Sequence, residues 1–198
     1  GRRCSGPGGC HMSGKRRRRK FLFPAVFVLI LVLALAGVRM VLTALYPLQY
    51  EELIDRYSEE NGLSPAFVYG VIHTESRFRA DAVSSIGARG LMQITEETFE
   101  WTQWRMGDTV TAYDDLFDPE TNIRYGTRLL SLLLDEFGGE AEALAAYHAG
   151  WGSVKRWLSD TEHSADGIVL DNIPFTDTAW YVPKVLKTAG VYRRLYNK

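Results

Sequence analysis

No cysteine lies beyond position 10 of this 198-residue chain. Cys4 and Cys10 both sit in the N-terminal arm, so no disulfide framework can hold a fold together. No acidic residue occurs before Met40, whereas nine of the 23 Lys and Arg do, which gives that segment a charge of +9. The remainder sets 14 basic residues against all 24 acidic ones, a charge of −10 masked by the overall −1. An acidic globular part lacks the clustered cations that phosphate recognition needs, so nucleic acid is not an expected partner. Sustained period-two alternation, internal repeats and low-complexity tracts outside the basic arm are also missing, which excludes a strand-built or repeat architecture. No zinc or calcium spacing occurs, and His11, His73 and His163 have no ligand-like company; neither a metal nor a cofactor is expected.

What is present begins with enough apolar material, 46% hydrophobic and 12% aromatic, to pack a core. The length suits one domain and an appendage. Phe21 to Val38 runs 18 residues without a charge, and the apolar character resumes after Arg39 as Met40 to Tyr46. Crossing a bilayer takes about 20 residues. The six basic residues Lys15 to Lys20 directly precede this stretch, and such residues stay on the cytoplasmic side. The expected layout is a basic cytoplasmic arm over 1–20, a single-pass signal anchor over 21–46 in the cell membrane, and an extracytoplasmic domain over 47–198. Met12 is a candidate natural start, so Gly1 to His11 are set aside. Two alternatives compete with the anchor. A buried core helix is disfavoured by the length and the flanking charge. A cleavable signal peptide would use Ala34-Leu35-Ala36, but the apolar stretch continues past that site without a polar break. Both cysteines precede the apolar stretch, which does not fit a lipoprotein signal.

From Gln49 onward the pattern is helical, and the class is all-α or nearly so. Leu53, Ile54 and Tyr57 form one stripe closed by Asn61-Gly62. Ser64-Pro65 reads as a cap and first-turn pair opening a helix to about Ser76. Gly87 and Gly90 mark a loop, Thr95 caps the next helix, and Asp118-Pro119 opens a long one ending at Gly138-Gly139. Further helices are expected at Ala141 to Ala149, Ser153 to Leu158 and about Trp180 to Tyr196, with Pro183 in the first turn of the last one or bending it.

Within the helix after Ser64, Phe67, Val68, Val71 and Ile72 define a buried face, and Glu75 continues it at helical spacing. A carboxylate therefore stands where a core residue belongs. Withdrawal from water and a helix C-terminus both disfavour its charge, so the acid can hold its proton near neutrality. That suits a general acid for a glycosidic bond, whose leaving oxygen needs a proton as the bond breaks.

Four segments around this residue occur in a telling order: Glu75-Ser76-Arg77-Phe78, Gly87 to Ile94 (reading GARGLMQI), Ala146-Tyr147-His148-Ala149-Gly150, and Asp177 to Val185 (DTAWYVPKV). Together they resemble the catalytic domain of the soluble lytic transglycosylase family, which has a lysozyme-like fold. The likeness runs from about Leu63 to Tyr196, and Asp118-Pro119 with Asn122-Ile123 fits the family's structural helix. It implies a lysozyme-like helical domain, which the apolar stretch read above would precede as one transmembrane helix. It implies Glu75 as acid and then base, Met92 and Gln93 lining a sugar cleft, and Tyr147 and Tyr181 orienting Glu75 or the sugar. Ser76 would hold the cleft loop through its hydroxyl. Among the tryptophans, Trp180 and Trp151 adjoin motifs and are the better cleft candidates. His148 stands where the family has Asn, and Asp177 where it has Glu; His148 is still expected on the substrate. The implied reaction cuts peptidoglycan glycan strands between N-acetylmuramic acid and N-acetylglucosamine without water, leaving a 1,6-anhydro end. A single acid fits substrate-assisted chemistry. A hydrolytic muramidase resembling goose-type lysozyme and a catalytically weak glycan-binding assembly subunit are the alternatives. The expected partners are glycan strands and the bilayer; protein partners cannot be read from the sequence.

Overall fold

In the computed structural model, residues 14–198 are described, with side chains from residue 24 onward. Readings made for Gly1 to Ser13, among them Cys4, Cys10 and His11, lie outside the described residues. The described chain falls into two units, one ending at Leu45 and one spanning Tyr46–Lys198.

The first unit is a single helix, α1 (Gly14–Leu45), which continues through Pro24. Its stretch Pro24–Leu45 covers 22 residues with a mean hydropathy of 2.8, long and apolar enough to cross a membrane. Its large apolar side chains from Val26 to Leu45 are mostly exposed.

The second unit contains α2 (Glu51–Glu60), α3 (Pro65–Glu75), α4 (Glu96–Met106), α5 (Pro119–Phe137), α6 (Glu140–Ala149), α7 (Trp151–Leu158) and α8 (Thr176–Tyr196), with a 3₁₀ turn at Tyr113–Phe117. No strand is present among the described residues; two isolated bridges, Val83 to Arg89 and Arg89 to Ile94, pinch the loop between α3 and α4. Local chemistry sets most helix starts and stops. Thr95 accepts a hydrogen bond from the Thr98 amide, Asp118 accepts one from the Thr121 amide before Pro119, and Gly138 closes α5 in the left-handed region at φ 76°.

Helix α3 is buried from Ala66 to Ile72 and forms the centre of the domain. Helix α8 lies against it so closely that a Cβ on Gly70 would stand 2.9 Å from the Val185 carbonyl oxygen. Around this pair α5 contributes Ile123, Leu129, Leu130 and Leu133, and α6 contributes Ala143 to Ala146. Each large aliphatic side chain taken from water in this way stabilises the fold by roughly 1.5–3 kcal/mol. The end of α8 returns to the start of the domain. Tyr192 donates to the Pro47 carbonyl at 3.1 Å and Tyr196 to that of Tyr46 at 2.6 Å, while the Lys198 ammonium meets Glu51 at 2.9 Å and Asp55 at 2.5 Å.

Three helix starts differ from the sequence reading: α6 at Glu140 instead of Ala141, α7 at Trp151 instead of Ser153 and, by the widest margin, α8. α8 begins at Thr176 instead of about Trp180, so Pro183 sits inside the helix beyond its first turn. Proline cannot donate to the carbonyl of Ala179, yet both residues are exposed and water can take the place of the missing donor.

Candidate active site

Glu75 is the last residue of α3, and the chain turns sharply after it. Arg77 and Phe78 occupy the left-handed region at φ 52° and 63°, a conformation that costs a non-glycine residue about 1–2 kcal/mol. The surroundings hold them there. Phe78 is 5% exposed among Tyr69 and His73, and the Arg79 side chain donates to the Ser76 carbonyl at 3.2 Å. Strain next to a candidate catalytic group is where it is most often retained.

The Glu75 carboxyl accepts a hydrogen bond from the Tyr181 hydroxyl at 2.7 Å. Burial pushes its pKa up to about 7, against the opposing pull of that hydrogen bond and of the Lys184 ammonium. Burial wins because charging a carboxyl away from water costs more than one phenol and one distant cation return. Tyr181 is 4% exposed, and burial together with the nearby Glu75 charge keeps its phenol, like that of Tyr147, well above its ordinary pKa.

The loop facing Glu75 is assembled from polar staples. The buried Asn122 side chain accepts from the Met92 amide at 2.8 Å and donates to the carbonyls of Leu116 at 2.8 Å and Arg89 at 3.1 Å. Tyr113 donates to the Gly87 carbonyl at 2.8 Å, and Tyr147 to the Met92 carbonyl at 2.5 Å. Gly90 passes so close to Asn122 and Leu116 that a Cβ would lie 2.3 Å from the Leu116 carbonyl oxygen; its φ of 74° also favours glycine.

These contacts correct several expected roles. The Met92 side chain is wholly buried against Gly126 and offers no surface to a sugar. Its carbonyl is what the site uses, as the acceptor for Tyr147. Ser76 is 1% exposed and its hydroxyl turns back onto the Ile72 carbonyl at 3.3 Å, so it ties the end of α3 and not the cleft loop. Gln93, held at φ 51°, spends its amide nitrogen on the carbonyls of Gly90 at 2.8 Å and Ala82 at 3.1 Å, leaving its oxygen as the acceptor it can present. Tyr147 reaches the loop instead of the Glu75 carboxyl.

His148, at the end of α6, lies flat against Tyr181 with ring centroids 4.4 Å apart, and its Nδ1 pairs with the Thr178 hydroxyl at 2.9 Å. Burial of its packed face holds its pKa below the ordinary value, against the Asp177 charge. It opens onto a groove of about 580 Å³ lined also by Ala149, Pro174, Phe175, Thr176 and Asp177. Trp180 and Trp151 are 63% and 48% exposed, and the Lys184 ammonium sits 4.2 Å from the Trp180 ring centre. A second depression of about 380 Å³, at Tyr57, Asn61, Arg105, Arg124 and Arg128, touches none of these residues. His163, read from sequence as lacking ligand-like company, has donor atoms of Asp160 and Glu162 within 4.8 Å of its own; its Nδ1 pairs with Asn172.

Sequence reasoning missed Tyr113; it quoted Asn122 only as part of a structural helix and Lys184 only within the last motif, and gave neither a role at the site.

A carboxyl whose pKa burial raises to about 7, hydrogen-bonded by a phenol at the end of α3, makes Glu75 a candidate general acid in an all-helical domain. Residues 52–169 match the family model described as the Transglycosylase SLT domain, and the chain belongs to that family. It is 34% identical over 158 residues to the soluble lytic murein transglycosylase of Salmonella typhimurium, covering 77% of this chain and 24% of that protein. It is 33% identical over 162 residues to the membrane-bound lytic murein transglycosylase C of Pectobacterium atrosepticum, covering 76% of this chain and 44% of the relative. Among solved structures, the 70 kDa soluble lytic transglycosylase of Escherichia coli superposes with a TM-score of 0.69 at 31% identity, covering 77% of this chain and 25% of that one. An inactive Glu-to-Gln mutant of the Pseudomonas aeruginosa lytic transglycosylase Slt gives 0.67 at 33%, with 77% and 25% covered. The chain thus spans about a quarter of the length of its soluble relatives.

Proposed function

We propose that the chain is a membrane-anchored lytic transglycosylase that cleaves the bond between N-acetylmuramic acid and N-acetylglucosamine in peptidoglycan, with Glu75 as its acid and base. The observation that carries this reading is the Glu75 carboxyl at the end of α3, held by the Tyr181 hydroxyl and with its pKa raised by burial to about 7. Protonated Glu75 delivers its proton to the glycosidic oxygen while the N-acetyl group of the substrate stabilises the positive centre. The resulting carboxylate then takes the proton of the muramic C6 hydroxyl, and closure of that oxygen onto C1 gives the 1,6-anhydro end. Tyr181 bonds the carboxylate more strongly than the acid, so its hydrogen bond gains strength as the proton leaves. The Gln93 carbonyl oxygen and the exposed Trp180 and Trp151 rings form the sugar-facing side, while Tyr181 and His148 back Glu75 and Met92, Ser76 and Tyr147 shape the site from behind. A relative inactivated by a Glu-to-Gln exchange, and another that is a lytic transglycosylase bound to bulgecin A, support this assignment.

The exposed apolar surface of α1, following the basic run Lys15 to Lys20, supports an anchor with its N-terminus cytoplasmic and the catalytic domain outside. A membrane-bound relative is consistent with that arrangement. The deciding experiment compares wild type and Glu75→Gln on purified peptidoglycan, with products separated and weighed by mass spectrometry. Wild type is expected to release 1,6-anhydro-muramic ends and the variant none. Reducing ends alone would replace this reading with a hydrolytic one, and clearing that persists in Glu75→Gln would remove Glu75 as the catalyst.

A further inference from the structure

We infer that His148 is a positioning residue that acts on Glu75 through Tyr181, wedging the Tyr181 ring so that its hydroxyl stays on the carboxyl. This rests on the proposed role of Glu75. The geometry forms a continuous relay across three elements. His148, on α6, meets α8 at two points one turn apart: its Nδ1 pairs with Thr178 at 2.9 Å, and its ring covers that of Tyr181 at 4.4 Å with planes 29° apart. Tyr181 in turn reaches Glu75 on α3 at 2.7 Å.

The Thr178 bond fixes the imidazole plane, and the fixed plane limits rotation of the phenol. The asparagine that the family pattern places here has no ring and could not make this stack. The charged and titratable groups involved are few. Tyr181 and Lys184 from α8 act on Glu75, Asp177 from α8 acts on His148, and Tyr147 from α6 feels Glu75. The Tyr181 hydrogen bond pulls the Glu75 pKa down. Loosening Tyr181 therefore lets that pKa rise, and the alkaline limb of activity moves up with it.

The test measures kcat, KM and the pH profile of the full-length protein in detergent on soluble uncrosslinked glycan strands, for wild type, His148→Ala, His148→Phe and Tyr181→Phe. Tyr181→Phe sets the direction and size of the limb shift when the bond to Glu75 is gone. His148→Ala is expected to lower kcat by about three- to tenfold, the worth of one aromatic pair, with KM little changed and the limb shifted toward that of Tyr181→Phe. His148→Phe keeps a ring on Tyr181 and is expected to recover most of the loss. A His148→Ala effect confined to KM, an unmoved limb, or a His148→Phe no better than alanine would each overturn the proposal. Glu75→Gln run alongside separates this outcome from failure of the catalytic assignment, since only the latter leaves that variant active.

Discussion

At the scale of single residues, the balance around Glu75 makes a prediction about pH that has two independent readings. The acid must carry a proton to start the reaction, so activity is expected to fall as pH rises through about 7, where burial has placed its pKa. A pH–rate profile of kcat reports this limb directly. Stability carries the same signature. The folded protein holds the Glu75 proton more tightly than the unfolded chain, whose glutamate has the ordinary value of 4.5. The stabilisation is therefore complete below about pH 4.5 and is lost as pH rises through about 7. Glu75→Gln removes the ionisation, so it is expected to stabilise the protein by about 1–3 kcal/mol at pH 8 relative to its effect at pH 5. Urea unfolding of both proteins at the two pH values checks it, and equal differences at both would show that Glu75 ionises freely.

At the scale of elements, the loop from Ala82 to Ile94 is stapled from outside by Asn122. Asn122→Ala leaves the Met92 amide and the carbonyls of Arg89 and Leu116 without their partner in a buried setting. Each such group costs about 1–3 kcal/mol, partly relieved by water, so a loss of about 2–4 kcal/mol is expected, with activity falling as the loop slackens. Denaturant unfolding and a zymogram read both effects. The contrast with the helices explains what was legible in the sequence. Helix starts at Glu96 and Pro119, and the Gly138 stop, are written in neighbouring residues, because a cap is a contact between residues at most a few positions apart; at Pro65 the first-turn proline marks the start, and Ser64 makes no side-chain cap bond. The start of α8 was not legible, because Phe175 at its N-cap offers no capping side chain and Pro183 imitates a boundary. Glu75 stood out as a carboxylate at helical spacing from apolar residues, although α3 is buried on every side from Ala66 to Ile72 and Glu75 itself is half-buried. The roles of Met92, Ser76 and Gln93 were not legible. Their side-chain directions follow from left-handed backbone at Arg77, Phe78 and Gln93 and from staples as remote as Asn122, which no local pattern records.

At the scale of the whole molecule, the charge division along the chain and the closure of the domain on itself lead to one further expectation. The segment Tyr46 to Tyr50 is not a slack linker within its unit. Tyr46 stacks on His73 at 5.0 Å, its carbonyl and that of Pro47 are taken by Tyr196 and Tyr192, and Lys198 joins Glu51 and Asp55. The core of the second unit is drawn from residues of Tyr46–Lys198, and the large apolar side chains of α1 are mostly exposed. A protein consisting of Tyr46–Lys198 is expected to be soluble, to melt at the temperature of the full-length domain and to retain glycan cleavage in solution. The full-length protein is expected to stay with the membrane fraction through high salt and alkaline carbonate, because about 20 apolar residues give insertion that neither treatment reverses. Release of the full-length protein by carbonate would mean that α1 is cleaved or lies on the surface. A shortened protein that melts earlier would mean that the first unit supports the second. Deleting Tyr192 to Lys198 from the soluble form should do what removing α1 does not. It strips the donors from Tyr46 and Pro47, the cation from Glu51 and Asp55 and the buried Tyr192 ring from Tyr69 and His73, so the melting temperature should fall.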